Sequence, residues 1–234
     1  AELSPGDVHL WRFSLSVDET ELAALAALLD GEEQLRAERM RLAHVRSRFI
    51  VSHGRLRRVL ARYAGAEPQH LEFHTAEGGK PFLGAAFDAD GIQFSLSHSG
   101  DLGLVGVSRG RAIGVDVEVC RDSVDIDLVA RRQFAAGEVA RLFNVSGEER
   151  TGTFYRCWTR KEAYLKARGE GIIGRLQDFE VSCLAGEPPE IRWTKSGAAE
   201  RSRWSVIDAP MGEAAAGACV VERPSGDVRF WSYR

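Results

Sequence analysis

The sequence predicts an α+β fold built from two similar lobes that are related by a pseudo-twofold axis, with a cleft between them. Helical and strand-like hydrophobic patterns both occur in each half of the chain, and corresponding elements recur at an offset of roughly 105–110 residues. No low-complexity tract or long linker interrupts the chain. The lobes would cover residues 1–110 and 111–234 and join at the turn Arg109-Gly110-Arg111. The alternative is a single irregular α+β domain.

The first lobe is expected to contain a strand, three helices and two further strands. In chain order these elements are predicted at Val8–Phe13, 18–29, about 33–42, about 45–63, about 92–97 and about 102–108. Asp18 is a suitable N-cap for the first helix, and Gly31 is a suitable stop. The last two strands flank the turn Ser99-Gly100-Asp101 and should form a hairpin.

The second lobe is expected to repeat this plan. It should begin with the strand Ile113–Val119, followed by helices near 125–132, 136–143 and 149–168 and strands near 179–183, 190–194, 203–208, 216–222 and 228–232. The strand near 8 then corresponds to the one near 112, and the long helix near 46 corresponds to the one near 150. The strand near 92 corresponds to the one near 203.

Composition excludes several classes of protein. Of 234 residues, 44% are hydrophobic, which is enough for a sizeable core and unlike a disordered chain. A net charge of −3 argues against a nucleic-acid partner, and the longest apolar stretch, Leu22 to Leu29, is far too short to span a membrane. The start lacks the pattern of a signal peptide, and the four cysteines form no C-x-x-C pair. We therefore expect a cytoplasmic protein with buried free thiols.

Positive charge is concentrated in one segment. Residues Arg36 to Arg62 contain nine arginines and one acidic residue, a local charge of +8 that leaves −11 for the rest of the chain. This imbalance predicts an anion site or a docking face for an acidic partner. The alternative is a solvated helix face whose arginine stems lie on the core.

The strand Ile113–Val119 carries two carboxylates. Its apolar residues alternate with Gly114, Asp116 and Glu118, so the two acids should lie roughly 6–7 Å apart on one face. Carboxylate oxygens so placed suit Mg²⁺, and Gly114 would leave room beside them. The alternative is a strand with a charged solvent face.

The long helix of the second half has a third acidic candidate. Glu162 lies at the border of an apolar arc, one turn after Trp158 and one turn before Lys166. Glu162 could share a metal ion with the strand carboxylates, and Lys166 could neutralise a phosphate. The alternative is an ordinary i,i+4 Glu–Lys pair. That pair would not explain Lys161, a lysine inside the apolar arc.

Two turns add phosphate-binding candidates. Ser97 and His98 enter a hairpin turn, where hydroxyl, imidazole and backbone N–H groups together can hold a phosphate. A serine hydrolase is disfavoured because G-x-S-x-G is absent and adjacent strand residues point to opposite faces. Gly79-Lys80-Pro81 presents a lysine on a stiff turn that is not a P-loop. The alternatives are ordinary hairpin polarity and a solvated turn lysine.

In this order, the motifs resemble those of the Sfp-type 4'-phosphopantetheinyl transferases over about residues 30–185. The matching segments are Arg48-Phe49, Gly79-Lys80-Pro81, Phe94-Ser95-Leu96-Ser97-His98-Ser99-Gly100, Ile113-Gly114-Val115-Asp116-Val117-Glu118, Trp158-Thr159-Arg160-Lys161-Glu162-Ala163-Tyr164-Leu165-Lys166 and Gly169-Glu170-Gly171-Ile172. The resemblance implies the two-lobed fold of that family, with the active site in the cleft. It also implies transfer of the phosphopantetheine arm of coenzyme A to a serine of an apo carrier protein, with adenosine 3',5'-bisphosphate as the other product.

The resemblance also assigns roles to residues. It implies a Mg²⁺ ion held by Asp116, Glu118 and Glu162, with Glu162 and Lys166 as the catalytic residues and Glu162 as general base. The implied contacts with coenzyme A come from Arg36, Arg48, Gly79, Lys80, Pro81, Ser97, His98 and Lys166. The implied partners are acyl, polyketide or peptidyl carrier proteins, and a monomer is expected because both lobes belong to one chain. Two competing hypotheses are a non-catalytic module that binds coenzyme A or a carrier, and a generic metal-dependent phosphohydrolase.

Overall fold

The computed structural model describes residues 2–87, 91–170, 175–223 and 226–233. Gly171 and Ile172 of the last matching segment lie outside them. The helices are α1 Glu19–Ala26, α2 Gly31–Glu38, α3 Ala43–Ala64, α4 Ile126–Gln133, α5 Ala136–Phe143, α6 Gly147–Arg168 and α7 Ala198–Ser202. The strands are β1 Val8–Ser14, β2 Phe73–Thr75, β3 Pro81–Leu83, β4 Ile92–Ser99, β5 Leu102–Arg109, β6 Ile113–Val119, β7 Phe179–Val181, β8 Ile191–Thr194, β9 Trp204–Asp208, β10 Ala215–Glu222 and β11 Val228–Tyr233.

Two antiparallel units with the same connectivity form the centre of the molecule. In the first half the order is β1-β5-β4, and in the second half it is β6-β10-β9. In each unit, the strand that comes last in the chain, β5 or β10, lies between the other two. All neighbouring strands in these units are antiparallel. The α+β class is confirmed, and the recurring strand order agrees with the expected repeat. The pseudo-twofold axis itself stays a prediction.

Several elements depart from the expected plan. Strand β11 leaves the second half and pairs in parallel with β1, with Val228 opposite Val8. Stacking of Trp231 on Trp11, with ring centroids 5.2 Å apart, supports this long-range pairing. Strands β2 and β3 form a two-stranded sheet, and helix α7 precedes β9; neither feature was expected. Strands of three residues and a helix of five are too short to show a clear period, and the partner of β11 lies far away in the chain.

Each half packs one long helix on its sheet. Helices α3 and α6 both have 22 residues, and each ends at a left-handed glycine, Gly65 with φ 62° and Gly169 with φ 71°. The α3 side buries Leu60 with Phe94, whereas the α6 side buries Tyr164. A third apolar cluster joins β1, β5, β6 and β10, so the two halves share a core.

Helix α6 lies directly on strand β6 because Gly114 has no side chain. A Cβ atom at Gly114 would lie 2.1 Å from the Ala163 carbonyl oxygen and 2.3 Å from the Ala167 nitrogen. The expectation that Gly114 leaves room for an ion is therefore wrong, since the helix backbone fills that space. The contact instead brings the C-terminal turns of α6 onto the carboxylate-bearing face of β6.

The remaining expectations concern cysteines and membrane segments. All four cysteines are free, and Cys157, Cys183 and Cys219 are buried, as expected. Among the helices that the structure describes, none combines the length and apolar character needed to cross a bilayer.

Candidate active site

Serine side chains join strand β4 to strand β6 across the two halves. The Val115 and Val119 backbone N–H groups donate to the Oγ atoms of Ser95 and Ser99, at 3.1 Å and 3.2 Å. Ser99 Oγ also donates to Glu118 Oε2 at 2.5 Å. Because alternate residues of a strand share a face, the segment 95–99 presents a row of hydroxyls to β6. The first half therefore supplies hydrogen bonds to a strand of the second half.

Asp116 lies at the centre of this contact. Its Oδ1 accepts hydrogen bonds from Ser97 Oγ at 2.8 Å and from Lys166 Nζ at 2.7 Å, and Lys166 also donates to Ser97 Oγ at 3.0 Å. The other oxygen, Oδ2, is buried and has no hydrogen-bond partner within the described part of the chain. Burial raises the pKa of Asp116, although Lys166 and Ser97 oppose the rise. A buried oxygen without a donor is a strong candidate ligand for a cation.

Glu118 and Glu162 are electrostatic neighbours of Asp116. Burial raises the pKa of Glu162, and the negative charges of Asp116 and Glu118 raise it further. Burial likewise raises the pKa of Glu118, and the charge of Asp116 adds to the effect. Glu162 is half-buried, as the helix pattern predicts. Burial disfavours the ionised form of all three carboxylates, and the charge of Asp116 disfavours ionisation of the two glutamates further, so a divalent cation would stabilise the group.

The three carboxylates are not arranged as a finished metal site. Within the ranges that the structure covers, no three His, Cys, Asp or Glu side chains form a group that could hold a metal ion. Lys166 and Ser97 donate hydrogen bonds to Oδ1 of Asp116, and Ser99 donates one to an oxygen of Glu118, so these two oxygens already have partners. The expected ligand set of Asp116, Glu118 and Glu162 is thus present as neighbours but not as an assembled cluster. Its all-oxygen chemistry and the partnerless Oδ2 of Asp116 nevertheless suit Mg²⁺.

A cavity of about 780 Å³ is lined in part by Lys166, the lysine that contacts Asp116. Its lining includes the cationic or imidazole side chains of Arg36, Arg39, His53, Lys80 and Lys166. Gly79 and Pro81, from the same turn as Lys80, also line it. Five of the expected coenzyme A contacts therefore border one cavity, namely Arg36, Gly79, Lys80, Pro81 and Lys166.

Lys80 is held between the two halves. Its Nζ donates to the Ile113 carbonyl oxygen at 2.8 Å and lies 3.5 Å from that of Ala167. Burial lowers the pKa of Lys80 from 10.5 to about 8. The turn approaches closely because both contacting residues are glycines: a Cβ atom at Gly78 would lie 1.9 Å from the Gly169 carbonyl oxygen. Lys80 is therefore not a solvated turn lysine.

The other three expected contacts lie at the edge of this region. Ser97 is buried against Asp116, whereas His98, on the opposite face of the strand, is exposed, so the two side chains do not form one phosphate-binding pair. Partial burial, and then the charges of His53, Lys166 and Arg48, lower the pKa of His98. Arg48 forms an ion pair with Asp101 at 3.1 Å.

The basic segment 36–62 divides into two groups. Arg36 and Arg39 are exposed residues that line the cavity. Arg57 is fully buried, and Arg55 is nearly so. Arg36 and Arg39 are compatible with the expected anion site, whereas the buried Arg55 and Arg57 are not the solvated helix face of the alternative.

Sequence reasoning left Lys161 unexplained and missed its partner. Lys161 is fully buried, and its Nζ lies 2.7 Å and 2.8 Å from the two carboxylate oxygens of Glu138, which is also fully buried. It also donates to the Phe179 carbonyl oxygen at 2.6 Å. A lysine within an apolar arc was the available signal for such a pair. The lysine next to Glu162 thus anchors α6 to α5 and β7.

Comparison with known proteins gives a consistent family. A family model described as the 4'-phosphopantetheinyl transferase superfamily matches residues 112–219. The 4'-phosphopantetheinyl transferase HetI of Nostoc sp. (strain PCC 7120 / SAG 25.82 / UTEX 2576) is 36% identical over 227 residues, which are 97% of this chain and 92% of that protein. The 4'-phosphopantetheinyl transferase Sfp of Bacillus subtilis (strain 168) is 30% identical over 126 residues, 54% of each chain.

Among solved structures, a holo-(acyl-carrier-protein) synthase from Bacillus anthracis str. Ames in complex with CoA (3',5'-ADP) covers 47% of this chain and 94% of its own. Its identity of 23% and TM-score of 0.40 are too low to carry an inference. The family assignment depends instead on HetI, which is similar along nearly the whole chain. On that evidence, the chain belongs to the 4'-phosphopantetheinyl transferase superfamily.

Proposed function

We propose that this transferase moves the 4'-phosphopantetheine group of coenzyme A to a serine of an apo carrier protein, with a Mg²⁺ ion held by Asp116, Glu118 and Glu162. The observation that carries the site assignment is the partnerless, buried Oδ2 of Asp116. It lies among three carboxylates whose pKa values are all raised. The cavity that reaches Lys166 is lined by five cationic or imidazole side chains and by Asp30, Glu32 and Glu33. Asp30 and Glu33 are already paired with Arg57, so the cavity suits an anionic substrate such as coenzyme A.

The reaction exchanges one phosphorus–oxygen bond for another. The carrier serine Oγ attacks the phosphorus that bears the pantetheine arm, while the bond from that phosphorus to the bridging oxygen breaks. Adenosine 3',5'-bisphosphate leaves with the bridging oxygen and its electron pair. A bound Mg²⁺ ion would supply charge stabilisation to the pyrophosphate oxygens.

Glu162 accepts the proton of the serine hydroxyl in this proposal. Its raised pKa supports the role, because a carboxylate whose pKa lies nearer to neutral is a stronger base than an ordinary one. Lys166 borders the cavity and also lies 2.7 Å from Asp116 Oδ1, so its ammonium group connects the phosphate region to the carboxylates. Lys166 would stabilise the negative charge that develops on the departing phosphate.

Coenzyme A would be held mainly by the cavity walls. Arg36 and the turn Gly79-Lys80-Pro81 would bind its anionic groups, and Ser97, His98 and Arg48 would act at the edge nearest the carboxylates. The lobes would be residues 1–110 and 111–234, with β11 crossing back to the first lobe. Because Ser97 and Asp116 meet within one chain, a monomer would contain the whole site. We place the enzyme in the cytoplasm.

The decisive test is intact-mass spectrometry on apo acyl, polyketide and peptidyl carrier proteins incubated with the enzyme, coenzyme A and Mg²⁺. At least one carrier should gain the mass of one phosphopantetheine group on its serine, and EDTA should prevent the gain. No gain on any carrier would contradict the proposal. Binding of coenzyme A without transfer would favour a non-catalytic module, and release of phosphopantetheine without a carrier would favour a hydrolase.

A further inference from the structure

Lys166 joins the candidate metal site through a triangle of hydrogen bonds. Its Nζ donates to Asp116 Oδ1 at 2.7 Å and to Ser97 Oγ at 3.0 Å, and Ser97 Oγ donates to the same Oδ1 at 2.8 Å. The side chain of Asp116 is 6% exposed, whereas that of Lys166 is 34% exposed. The ammonium group is therefore fixed on one oxygen of a buried carboxylate, while its side chain keeps access to solvent.

Helix α6 places Lys166 beside the other two carboxylates as well. Lys166 follows Glu162 by one helical turn, so the two side chains project from one face of α6. Asp116 and Glu118 alternate on one face of β6. Because α6 packs directly on β6 at Gly114, these two faces meet. Lys166 lies at their junction.

The positive charge of Lys166 acts on all three carboxylates. Burial raises the pKa of each carboxyl group, and the charge of Lys166 opposes that rise in every case. The charge of Arg121 acts in the same direction on Glu118. Of the cations within the described ranges, Lys166 is the one that acts on the whole trio. Its ammonium group thus supplies part of the charge compensation that a divalent ion would supply there.

This ion pair and a coordinated divalent ion conflict with each other. A hard divalent ion lies within roughly 2.0–2.6 Å of its carboxylate oxygens. The ammonium group is 2.7 Å from Oδ1, so the two cations would share one buried carboxylate, where like charges are poorly screened and repel. Asp116 is fixed within a strand, whereas Lys166 has a long flexible stem that borders the cavity. Lys166 is therefore the group that can move.

We propose that the Lys166 ammonium group and the divalent ion compete for Asp116, so that Lys166 leaves Asp116 Oδ1 when the ion binds. The inference rests on the proposed function, because it takes the three carboxylates as ligands of a divalent ion. It makes Lys166 a determinant of metal affinity, and it links the position of a cavity-lining lysine to metal binding. A structural ion pair that only fastens α6 to β6 would persist with the ion bound.

The first test measures affinity for Mn²⁺, an ion that carboxylates bind and whose free form electron paramagnetic resonance detects. The full chain is treated with EDTA, dialysed and titrated without coenzyme A. Lys166→Met should lower the Kd for Mn²⁺ about tenfold, because the ion no longer has to displace a charge-assisted hydrogen bond to Asp116. Asp116→Asn should weaken Mn²⁺ binding, since it removes the charge for which the two cations compete.

Two control variants separate a direct contact from a general effect of charge. Arg121→Gln removes an exposed cation whose charge acts on Glu118, and Lys195→Met removes a lysine that is 73% exposed. Each should change the Kd for Mn²⁺ by less than about twofold, as for exposed charges in water. A gain in Arg121→Gln as large as that in Lys166→Met would show an effect of net charge alone and overturn the inference.

The second test uses the wild-type chain and does not depend on a variant that folds. A crystal structure with Mn²⁺, located by its anomalous scattering, should show the ion on Asp116. Lys166 Nζ should then lie more than about 4 Å from Asp116 Oδ1, beyond the range of an ion pair. An ion on Asp116 with the 2.7 Å contact retained would overturn the inference.

The results distinguish this inference from the proposed function. An unchanged or weaker Kd for Mn²⁺ in a folded Lys166→Met protein would refute the competition, while carrier modification by the wild type would leave the proposed function intact. Binding of Mn²⁺ by Lys166→Met where the wild type shows none would support the competition. If neither protein binds Mn²⁺ and the wild type modifies no carrier, the proposed function and this inference are contradicted together.

Discussion

The two halves of the molecule share a plan but carry different chemistry. In each, a third strand lies between the first two, and a 22-residue helix covers the sheet. Strand β4 of the first half presents hydroxyls, whereas the strand β6 that it contacts presents carboxylates. Because Ser97 bonds to Asp116 and Ser99 to Glu118 across the halves, neither half holds a complete site. Under the proposed function, the first half would mainly bind coenzyme A and the second half would carry the reacting carboxylates, with Lys166 of the second half bordering both regions.

Both long helices also bury a cation, with different consequences. Arg57 of α3 holds Glu33 and so fixes α2, the helix that carries Arg36 to the cavity wall. Lys161 of α6 holds Glu138 and so fixes the helix turn from which Glu162 projects. Under the proposed function, the first buried cation would support substrate binding, and the second would support the carboxylate that acts as the base.

The largest expected effect tests whether the second half carries the reaction. Glu162→Gln should lower the rate of carrier modification by at least about 100-fold, because a general base typically contributes that much or more. The fold should be retained, since the raised pKa of Glu162 means that its charge does not favour the folded state. The measurement is the initial rate by mass spectrometry together with the Tm. Glu148→Gln, at the start of the same helix, is the control, and a near-normal rate in Glu162→Gln would contradict the assignment.

The next effect concerns stability in the second half. Lys161→Met leaves Glu138 charged and fully buried without its partner, so the free energy of unfolding should fall by about 3–5 kcal/mol. Chemical denaturation measures this change. The double variant Lys161→Met with Glu138→Leu should recover part of this loss, because it also removes the buried carboxylate that has lost its partner. A loss below about 1 kcal/mol in Lys161→Met would show that the pair is not the anchor of α6.

The carboxylates of the candidate site and the buried Lys161 show how much of the site the sequence alone predicts. Alternation along Ile113–Val119 predicts that strand with its observed bounds and puts Asp116 and Glu118 on one face. Helical periodicity places Glu162 at the border of the apolar arc. Neither pattern could find Glu138 as the partner of Lys161, because the pair depends on how α5 packs against α6.

The same limit applies to the sheets and to the cavity. The parallel pairing of β11 with β1 joins segments about two hundred residues apart in the chain, and local periodicity carries no information on it. The Glu33–His53 pair depends likewise on the packing of α2 against α3. The sequence also suggested that Gly114 makes space for an ion, when it makes space for a helix. A glycine in a strand indicates a close approach without naming the approaching group.

A smaller effect tests that close approach. Gly114→Ala would place a Cβ atom 2.1 Å from the Ala163 carbonyl oxygen, so α6 must move away from β6. We expect a loss of about 1–3 kcal/mol in the free energy of unfolding, as for overpacked cores, together with a lower transfer rate because Glu162 and Lys166 move relative to Asp116. The control is Gly152→Ala on α6, where the nearest atom to the added Cβ would be Arg156 Nη2 at 3.8 Å. That change should instead stabilise the helix by about 0.5–1 kcal/mol. Equal behaviour of the two variants would contradict the close-packing argument.

The smallest effect concerns Lys80, which connects the halves. Because burial lowers the pKa of Lys80 to about 8, its ammonium group loses its proton in a mildly alkaline range where an ordinary lysine stays charged. The Kd for coenzyme A should therefore weaken as pH rises through about 8, by less than about tenfold for one lost charge contact. A bound phosphate favours the charged form, so the transition should move upward at saturating ligand.

The lowered pKa of Lys80 also predicts how the stability of the fold depends on pH, which is a measurement independent of coenzyme A binding. The pKa of Lys80 is lower in the folded state than the ordinary 10.5, so the unfolded chain binds more protons between about pH 8 and that value. The free energy of unfolding should therefore rise with pH across this window. Below about pH 8 Lys80 is charged in both states, and the full cost of burying its ammonium group lowers the free energy of unfolding. Lys80→Met should abolish both trends, whereas Lys195→Met, at a lysine that is 73% exposed, should preserve them. If Lys80→Met keeps the alkaline weakening of coenzyme A binding, another group is responsible, and the turn that joins the two halves serves only to hold them together.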